Sequence, residues 1–341
     1  MSTGARISVS VCVAVFNEGP KAERLLSLIL GQSRQPDEIV IVDDASTDDT
    51  YQRLISASRR YSGAVKIQVL RQERNGGPAL ARNRAWKSSS GSLSVFTDGD
   101  CRPARDWLEK LVGVVEANPS LLAAGGSYSD PDEGNLLSRF IGFEISWRYS
   151  RMSDEIDCHG SYNLAVRRAV LEKLGGFDER YPKPSGEDFD LTYRIAAMKR
   201  LAFVRTASVG HDHPDEFWSY LRNQFRRGLD RVRLYLDHPG KATSDSYTDA
   251  WVKYEVVGSA LVVYLVPFAI LRDEVRWIQL GLVAFLAASS LRPLGFLWGR
   301  AGMKVAISGA FIRFVRIFAW MAGLHAGFAQ PLMHPLRKQG T

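Results

Sequence analysis

Cysteine is scarce in this sequence. Its 341 residues include three cysteines, Cys12, Cys101 and Cys158, which lie far apart and form no CxxC pair. This spacing argues against a disulfide framework and against a zinc ribbon, and it is typical of buried, reduced thiols in a cytosolic domain. A Walker phosphate-binding loop is also absent, because no GK[ST] sequence occurs.

The apolar run near the amino terminus does not fit a signal peptide. Ser8 and Ser10 interrupt the run, Arg6 is nearly the only basic residue before it, and no small-residue cleavage site follows. We therefore interpret residues 7–15 as a buried strand.

Acidic residues are outnumbered by basic ones, 37 against 44, which gives a formal net charge of +7. An excess of this kind suits nucleic acid, an anionic membrane or phosphorylated substrates. The chain carries no recognised nucleic-acid-binding motif, and many of its basic residues fall on hydrophobic helices. We therefore expect membrane lipids rather than nucleic acid as a partner.

Short apolar strands alternate with amphipathic segments over the first 120 residues. The pattern predicts strands at residues 7–15, 37–44, 65–71 and 93–98, a helix at 78–88, and another helix after Pro103. This alternation indicates an α/β fold with a mainly parallel, Rossmann-like central sheet. Ligands of such sheets bind beyond the carboxyl ends of the strands.

Acidic clusters follow two of these strands. Asp98 and Asp100 flank Gly99 in a turn, so both carboxylates can point to one side, and a divalent cation such as Mn²⁺ or Mg²⁺ would relieve their repulsion. A solvated turn is the alternative for this D-x-D taken alone. Asp44, at the end of its own strand, can accept from a nucleobase imide or a ribose hydroxyl, or belong to a helix N-cap.

Three further segments carry candidate chemistry. Gly76-Gly77 before Pro78, with Arg82 one turn later, resembles an anion site at a helix N-terminus. Glu187 and Asp188 begin a predicted helix, where they either serve chemistry or complement the helix dipole. The third segment is "GHDHP", in which His211 or His213 is a candidate third metal ligand and a structural role is the alternative.

The composition changes after about residue 240. Uncharged runs occur at 256–271 and 278–291, and a third run at 305–328 contains Arg313 and Arg316. A spanning helix needs about 20 apolar residues, and a charge near its centre is costly. We expect a membrane-attached tail with one or two spans plus interfacial or re-entrant helices, a soluble helical domain being the alternative. Basic residues at 217–236 and 334–340 would face anionic headgroups.

The ordered set of motifs resembles family 2 glycosyltransferases of the GT-A fold. The resemblance covers roughly residues 6–230 and is carried by VAVFNEG, IVIVDDASTDDT, RNGGPALARNRA, FTDGDC, NLAVRR, GGFDE, GEDFDL and GHDHP. Together with the change in composition after residue 240, it predicts a GT-A domain at 1–238, a linker at 239–250 and a hydrophobic helical membrane-associated region at 251–341. The tail itself carries no specific motif of the family.

The resemblance also implies roles for individual residues in an inverting transfer from a nucleotide-diphosphate sugar. Asp98 and Asp100 match the D-x-D that holds Mn²⁺ or Mg²⁺ against the diphosphate, and His211 matches a further metal ligand. Asp188 matches the general base, with Glu187 its neighbour or substitute. The donor side comprises Asp44 at the base, Arg82 near the diphosphate, Gly99, whose backbone approaches the donor, and also Asn17, Glu18, Asp43 and Gly77. Phe16 stands where members of the family commonly have Tyr.

We expect a UDP-sugar donor and a lipid-linked or cell-surface glycan acceptor at the cytoplasmic face of the membrane. Arginine-rich amphipathic stretches within residues 130–160 and 200–240 favour such an acceptor. The alternatives are a sugar-1-phosphate nucleotidylyltransferase, whose Gly-rich basic loop is poorly matched by "FNEGPKAER", and a non-catalytic membrane-bound binder or scaffold.

Overall fold

The described residues form two compact units. The computed structural model describes residues 6–131, 133–181, 183–184 and 186–333, with side chains up to residue 329. Unit 1 takes its residues from 1–130 and 148–212, and unit 2 from 131–147 and 213–341. The predicted boundaries between the GT-A domain (1–238), the linker (239–250) and the membrane-associated region (251–341) remain predictions. The basic residues 334–340 lie outside the described part of the chain.

Strands and helices alternate through unit 1, whereas unit 2 is helical. The strands are β1 Val9–Val15, β2 Glu38–Asp43, β3 Lys66–Arg71, β4 Leu93–Asp98, β5 Cys101–Pro103, β6 Ala123–Tyr128, β7 Glu155–Ile156, β8 Leu164–Arg167 and β9 Leu201–His211. The helices are α1 Gly19–Leu30, α2 Thr50–Arg60, α3 Pro78–Ser88, α4 Trp107–Ala117, α5 Leu136–Ser150, α6 Arg168–Leu174, α7 Glu187–Ala196, α8 Phe217–Asp237, α9 Trp251–Tyr264, α10 Val266–Leu271, α11 Asp273–Ser290, α12 Leu294–Ala301 and α13 Met303–Met333.

The first four strands form the parallel part of the sheet, in the order β3-β2-β1-β4. β2 is buried along its whole length, which explains its continuous apolar sequence, since helices cover both faces of a parallel sheet. In this register Val15 of β1 lies beside Asp43 of β2, and Ala14 lies beside Asp98 of β4. The carboxyl ends of three strands therefore meet at one edge.

The other part of the sheet is mixed, so "mainly parallel" describes only the first four strands. β8 runs antiparallel to both β4 and β6, β6 runs parallel to β9, and β5 and β7 are antiparallel to β9. The sequence pattern did not predict β6, because its residues AAGGSY lack the bulky β-branched side chains that mark a strand.

An apolar cluster packs α1, α2 and α4 of unit 1 against the sheet. It includes Leu25 and Ile29 of α1, Trp107 and Leu111 of α4, and the apolar residues of β1. The indole N–H of Trp107 donates to Asn163 Oδ1 at 2.8 Å, so this large side chain is buried without an unsatisfied polar atom. The three cysteines are buried and form no disulfide, as predicted.

Glycine allows α8 and α13 to pack closely within unit 2. A Cβ atom added to Gly228 would lie 2.3 Å from the carbonyl oxygen of Trp320, and one added to Gly323 would lie 2.0 Å from that of Phe225. Neither position has room for a side chain, so these two helices meet backbone to backbone.

The arginines of the third apolar run are buried and paired. Arg313 and Arg316 both bind the carboxylate of Glu144 in α5, with Arg316 Nη1 at 2.5 Å from Glu144 Oε2, and Arg313 Nη2 lies 3.3 Å from Glu255 Oε1 of α9. Paired and buried inside unit 2, these charges avoid the cost that an unpaired arginine would have in lipid.

Two stretches are long and apolar enough to cross a membrane, Asp273–Ala301 and Met303–Ala329. They overlap the second and third apolar runs of the sequence. Their length and composition are compatible with the predicted membrane attachment.

We predict that Glu144→Gln strongly destabilises unit 2. The substitution leaves two buried guanidinium groups without their shared carboxylate, and breaking a buried ion pair costs about 3–5 kcal/mol. Denaturant unfolding of the full chain in detergent micelles measures the loss. The control is Asp273→Asn, which removes an exposed pair with Arg276 and should cost at most about 1 kcal/mol. Equal losses in the two variants would contradict the prediction.

Candidate active site

The candidate site lies at the carboxyl ends of β1, β2 and β4, with residues from the end of β9 and the start of α7. Asn17 and Glu18 follow β1, Asp44 follows β2, and Asp98 ends β4. The parallel register brings these loops together, as the sequence predicted from strand ends alone.

Hydrogen bonds brace the loop after β1 against the loop after β2. Asn17 and Ala45 both have positive φ angles, 55° and 58°, and the loops hold this uncommon conformation by pairing with each other. The Asn17 N–H donates to Ser46 Oγ at 2.9 Å, and Asn17 Oδ1 accepts from the Thr47 N–H at 2.8 Å. Thr50 Oγ1 accepts from the N–H groups of Glu18 and Gly19. The backbone of this donor-side loop is therefore fixed.

Asp44 organises the turn between β3 and α3. Its Oδ1 accepts from Gln72 Nε2 at 2.7 Å and from the Gly76 N–H at 2.9 Å, and its Oδ2 accepts from the Gly77 N–H at 2.8 Å. Gly77 has φ 87°, a conformation that favours glycine. Burial raises the pKa of Asp44, while these donors act to lower it.

Asp43 is fully buried beside this turn. Its Oδ2 lies 3.3 Å from Arg71 Nε and accepts from the Ser46 N–H. Among the residues that the structure describes, Asp43 Oδ1 has no hydrogen-bond partner. The predicted donor side thus contains an unsatisfied buried acceptor, which is uncommon in a folded core.

Arg82 bridges two acids of the site. Its Nη2 lies 2.8 Å from Asp98 Oδ1 and its Nη1 lies 2.7 Å from Glu187 Oε1. Burial opposes the charge of the guanidinium, but the two carboxylates raise the pKa of Arg82. The sequence interpretation set Arg82 near a diphosphate, whereas the structure pairs it with the D-x-D and with the start of α7.

Asp100 lies beside His211. The antiparallel pairing of β5 with β9 sets Cys101 opposite His211, and His211 Nε2 lies 3.1 Å from Asp100 Oδ1. Burial acts to raise the pKa of Asp100, but the hydrogen bond and the charge of His211 lower it overall. Burial likewise opposes the protonated form of His211, yet Asp100 and Asp98 raise its pKa. Each residue of the pair therefore stabilises the charged form of the other.

Donor atoms of Asp100, Cys101 and His211 all lie within 4.8 Å of one another. Burial raises the pKa of the Cys101 thiol well above its ordinary value, and Sγ lies 3.9 Å from the Tyr162 carbonyl oxygen, so the sulfur is a poor ligand for a hard cation. The carboxylate and imidazole of the other two residues fit Mn²⁺ or Mg²⁺ better. His213, the other candidate, belongs to unit 2.

Glu18 adds a third carboxylate to the D-x-D. Burial and the charges of Asp100 and Asp98 raise the pKa of Glu18 to about 7. Crowded carboxylates of this kind are stabilised by a bound cation, so the donor set fits a divalent metal. The sequence predicted Glu18 as a donor-side residue but gave no sign of its electrostatic coupling to the D-x-D.

Asp188 is held at the start of α7. Its Oδ1 accepts from the Phe189 N–H at 2.8 Å, and its Oδ2 accepts from the Ser161 N–H at 3.4 Å. Burial and the neighbouring charge of Glu187 raise the pKa of Asp188 to about 7. Since Glu187 is committed to Arg82, Asp188 is the better candidate for a base. The sequence did not predict the contact of Ser161 with Asp188, because the backbone N–H of Ser161 makes it and a backbone group leaves no sequence motif.

The sequence matches the model of glycosyl transferase family 2 over residues 10–175. Over 233 residues it is 28% identical to the glycosyltransferase AglE of Haloferax volcanii, an alignment that covers 67% of this chain and 74% of AglE. These matches support the predicted resemblance to family 2 glycosyltransferases, with the family model matching residues 10–175. They likewise support the prediction that the chain is a transferase.

Another relative is longer than this chain. The pre-mycofactocin glycosyltransferase of Mycobacterium tuberculosis is 28% identical over 241 residues, which are 68% of this chain but 48% of that protein. The chain therefore aligns with about half of the mycobacterial enzyme.

Solved structures identify the fold as GT-A. The mannosyltransferase PcManGT of Pyrobaculum calidifontis, solved with GDP-Man and Mn²⁺, superposes with a TM-score of 0.60 and 22% identity, covering 96% of this chain and 87% of PcManGT. GalNAc-T7, solved with UDP, GalNAc and Mn²⁺, gives a TM-score of 0.50 and 18% identity, covering 67% of this chain and 51% of GalNAc-T7. The predicted fold class, an α/β GT-A domain with hydrophobic carboxyl-terminal helices, is confirmed.

We predict that Gly99→Ala destabilises the loops of the candidate site. A Cβ atom at position 99 would lie 2.8 Å from Val15 Cγ1 and 3.2 Å from Glu18 Cγ, so Gly99 makes room for the loop after β1. Overpacking of this kind costs about 1–3 kcal/mol.

Thermal or denaturant unfolding measures the loss. Gly113→Ala in α4 is the control, since a Cβ there meets nothing within 4 Å and alanine favours the helix. If Gly99→Ala is as stable as Gly113→Ala, the assigned packing role of Gly99 is wrong.

Proposed function

We propose that this chain is an inverting glycosyltransferase that moves a sugar from a nucleotide-diphosphate sugar, with UDP-sugars favoured, to a hydroxyl of a lipid-linked or cell-surface glycan. The observation that carries the proposal is the link Asp98–Arg82–Glu187, which ties the D-x-D to the start of α7, where Asp188 lies. Leaving-group stabilisation and proton removal would thus operate within one connected site.

Asp98, Asp100 and His211 would hold Mn²⁺ or Mg²⁺ together with the donor diphosphate. A metal bound there neutralises the charge that develops on the leaving nucleotide diphosphate. The crowding of Glu18 with the D-x-D and the pairing of Asp100 with His211 support this assignment. The bound Mn²⁺ in the PcManGT and GalNAc-T7 structures also supports it.

The donor would lie along the loops that follow β1, β2, β3 and β4. Asn17, Glu18 and Gly99 would border the diphosphate, with Arg82 behind Asp98. Asp43 has an unsatisfied buried oxygen, and Asp44 shapes the turn that contains Gly77. These acceptors suit ribose hydroxyls and the imide N–H of a base, which is the chemistry that favours a uridine nucleotide.

Asp188 would remove the proton from the acceptor hydroxyl as that oxygen attacks the anomeric carbon. A single displacement inverts the configuration, so the base and the leaving group lie on opposite sides of the sugar. The pKa of Asp188 near 7 suits proton transfer at neutral pH, whereas Glu187 would position Arg82 rather than act as the base.

A lipid-linked acceptor would meet the enzyme at a membrane. The two long apolar stretches of unit 2 and the basic residues of α8 support attachment to an anionic bilayer, which we propose is the cytoplasmic face of the cell membrane. In that arrangement the nucleotide-sugar donor would be bound from the cytoplasm.

The purified chain should release a nucleotide diphosphate from at least one sugar donor when Mn²⁺ and a lipid-linked acceptor are supplied. A panel of UDP- and GDP-sugars, read by nucleotide diphosphate release, tests this expectation. A non-catalytic binder would bind a donor and release none. A nucleotidylyltransferase would instead consume nucleoside triphosphate and release pyrophosphate.

Asp100→Asn should raise the Mn²⁺ concentration needed for half-maximal donor turnover by at least about 10-fold, because a ligand charge is lost. Calorimetric titration with Mn²⁺ alone checks the same site without turnover. The exposed Asp106→Asn is the control for loss of one acidic charge. An unchanged Mn²⁺ requirement in Asp100→Asn would remove Asp100 from the metal site.

Asp188→Asn should retain donor binding within about twofold and lose transfer by about 100- to 10 000-fold, the usual contribution of a general base. In the wild type, kcat/KM should rise as the pH increases through about 7, since the base acts when deprotonated. Saturating Mn²⁺ should not abolish this rise of kcat/KM with pH, because protons and the metal compete for His211 and not for Asp188. Transfer that survives in Asp188→Asn would move the base elsewhere, with Glu187 tested next.

A further inference from the structure

A short segment, His159–Asn163, is anchored at both ends to the mixed part of the sheet. His159 Nε2 lies 2.7 Å from the Gly126 carbonyl oxygen of β6. At the other end, Asn163 Nδ2 donates to the carbonyl oxygens of Ser127 at 3.0 Å and Ala207 at 2.9 Å. We name this stretch the anchor segment.

The His159 ring is fully enclosed, with 1% of the residue exposed. Its Nδ1 lies 2.9 Å from the Gly160 carbonyl oxygen, so both ring nitrogens face carbonyl oxygens. A Cβ atom on Gly125 would lie 2.4 Å from the ring, which shows how closely β6 covers it. In either neutral tautomer one ring nitrogen donates to its carbonyl oxygen. The second ring nitrogen then carries no hydrogen, and packing alone holds it beside the other carbonyl oxygen.

The anchor segment contacts the helix that carries Asp188 in two places. The Ser161 N–H donates to Asp188 Oδ2 at 3.4 Å. The His159 N–H donates to Thr192 Oγ1 at 3.1 Å, and the Thr192 hydroxyl lies 2.9 Å from the Asp188 carbonyl oxygen. The segment therefore touches both the side chain and the backbone of the proposed base.

The same segment contacts the metal side of the site. The Tyr162 carbonyl oxygen is the partner of Cys101 Sγ, next to the D-x-D. The Tyr162 ring lies 4.4 Å from that of Tyr128, whose ring meets the edge of His211 at 6.2 Å. One short stretch of backbone thus spans the distance between the proposed metal ligands and the proposed base.

We propose that the anchor segment is the positioning element of the proposed base, with the backbone N–H of Ser161 orienting the Asp188 carboxylate and His159 fixing the segment. The inference rests on the proposed function for its catalytic meaning. A hydrogen bond to a carboxylate fixes the direction of its lone pairs and favours the charged form. The charged groups around Asp188 are Glu187, Arg82 and Asp98, whereas the segment contributes an uncharged donor.

Proline at position 161 removes only the N–H from the backbone. Gly160 has φ −77° and ψ 146°, a conformation that a residue before proline readily adopts, and Ser161 is the first residue of a 3₁₀ turn. Ser161→Pro and Ser161→Ala both lose the hydroxyl, so the difference between them reports the replacement of the N–H by the Cδ atom of the proline ring.

The test measures the pKa of Asp188 by carbon-13 NMR of labelled aspartate, assigned with Asp188→Asn, in the full chain without donor. We expect Ser161→Pro to raise this pKa by about one unit relative to Ser161→Ala, because the carboxylate loses a donor. The pH at which kcat/KM rises should increase by the same amount. The value of kcat should fall about 10- to 100-fold, with donor affinity unchanged.

His159 has its own matched pair. His159→Gln keeps an N–H that can reach the Gly126 carbonyl oxygen, whereas His159→Leu keeps only the bulk of the side chain. We therefore expect His159→Gln to retain the kcat and the pH dependence of kcat/KM that His159→Leu loses. Phe203→Leu perturbs the packing around the same ring without a polar link to Asp188.

An Asp188 pKa that is equal in Ser161→Pro and Ser161→Ala overturns the proposal whether or not the chain transfers sugar. The proposal would also be rejected if kcat/KM depended on pH in the same way in His159→Leu and Phe203→Leu, since the role of His159 would then be packing alone. Absence of turnover in the wild type would reject the proposed function, while the NMR result would still decide the contact.

Discussion

The buried guanidinium of Arg82 is the charge on which the candidate site depends. It lies between Asp98 at the end of β4 and Glu187 at the start of α7, so it neutralises two acids that would otherwise repel each other in a poorly solvated space. Burial and the charge of Glu187 raise the pKa of the neighbouring Asp188, and Arg82, which makes its ion pairs with the other two acids, only partly offsets this. One ion-pair bridge therefore separates the roles of two adjacent carboxylates.

The metal side of the site follows the same logic of crowded charge. Glu18 and the two acids of the D-x-D come together because parallel strands end at one edge, and His211 comes from the antiparallel pairing of β9 with β5. Burial and the charges of Asp100 and Asp98 raise the pKa of Glu18, while the hydrogen bond and charge of His211 lower the pKa of Asp100. A divalent cation is the counter-charge that we propose for these acids, and the proposed sugar transfer would give it a chemical purpose.

Ion pairs also stabilise buried charges among the apolar helices of unit 2. Arg313 and Arg316 stand in the middle of the longest helix, where an unpaired charge would prevent burial, and Glu144 of α5 binds both. Close contact of α8 with α13 through Gly228 and Gly323 then keeps an arginine-rich helix against an apolar one. Apolar side chains of α9 to α12 are exposed, which is compatible with the proposed membrane attachment.

The sequence by itself determined the parallel strands, the acids at their ends and the family resemblance, because each depends on local patterns: apolar runs, turn residues and motifs in order. It could not determine the mixed part of the sheet, since β6 is a run of small residues whose pairing is set by distant strands. Nor could it pair Arg82 with Glu187, 105 positions away, or Ser161 with Asp188, because a backbone N–H has no sequence signature. Only the tertiary structure, which brings remote charges and amides within hydrogen-bond distance, decided those contacts.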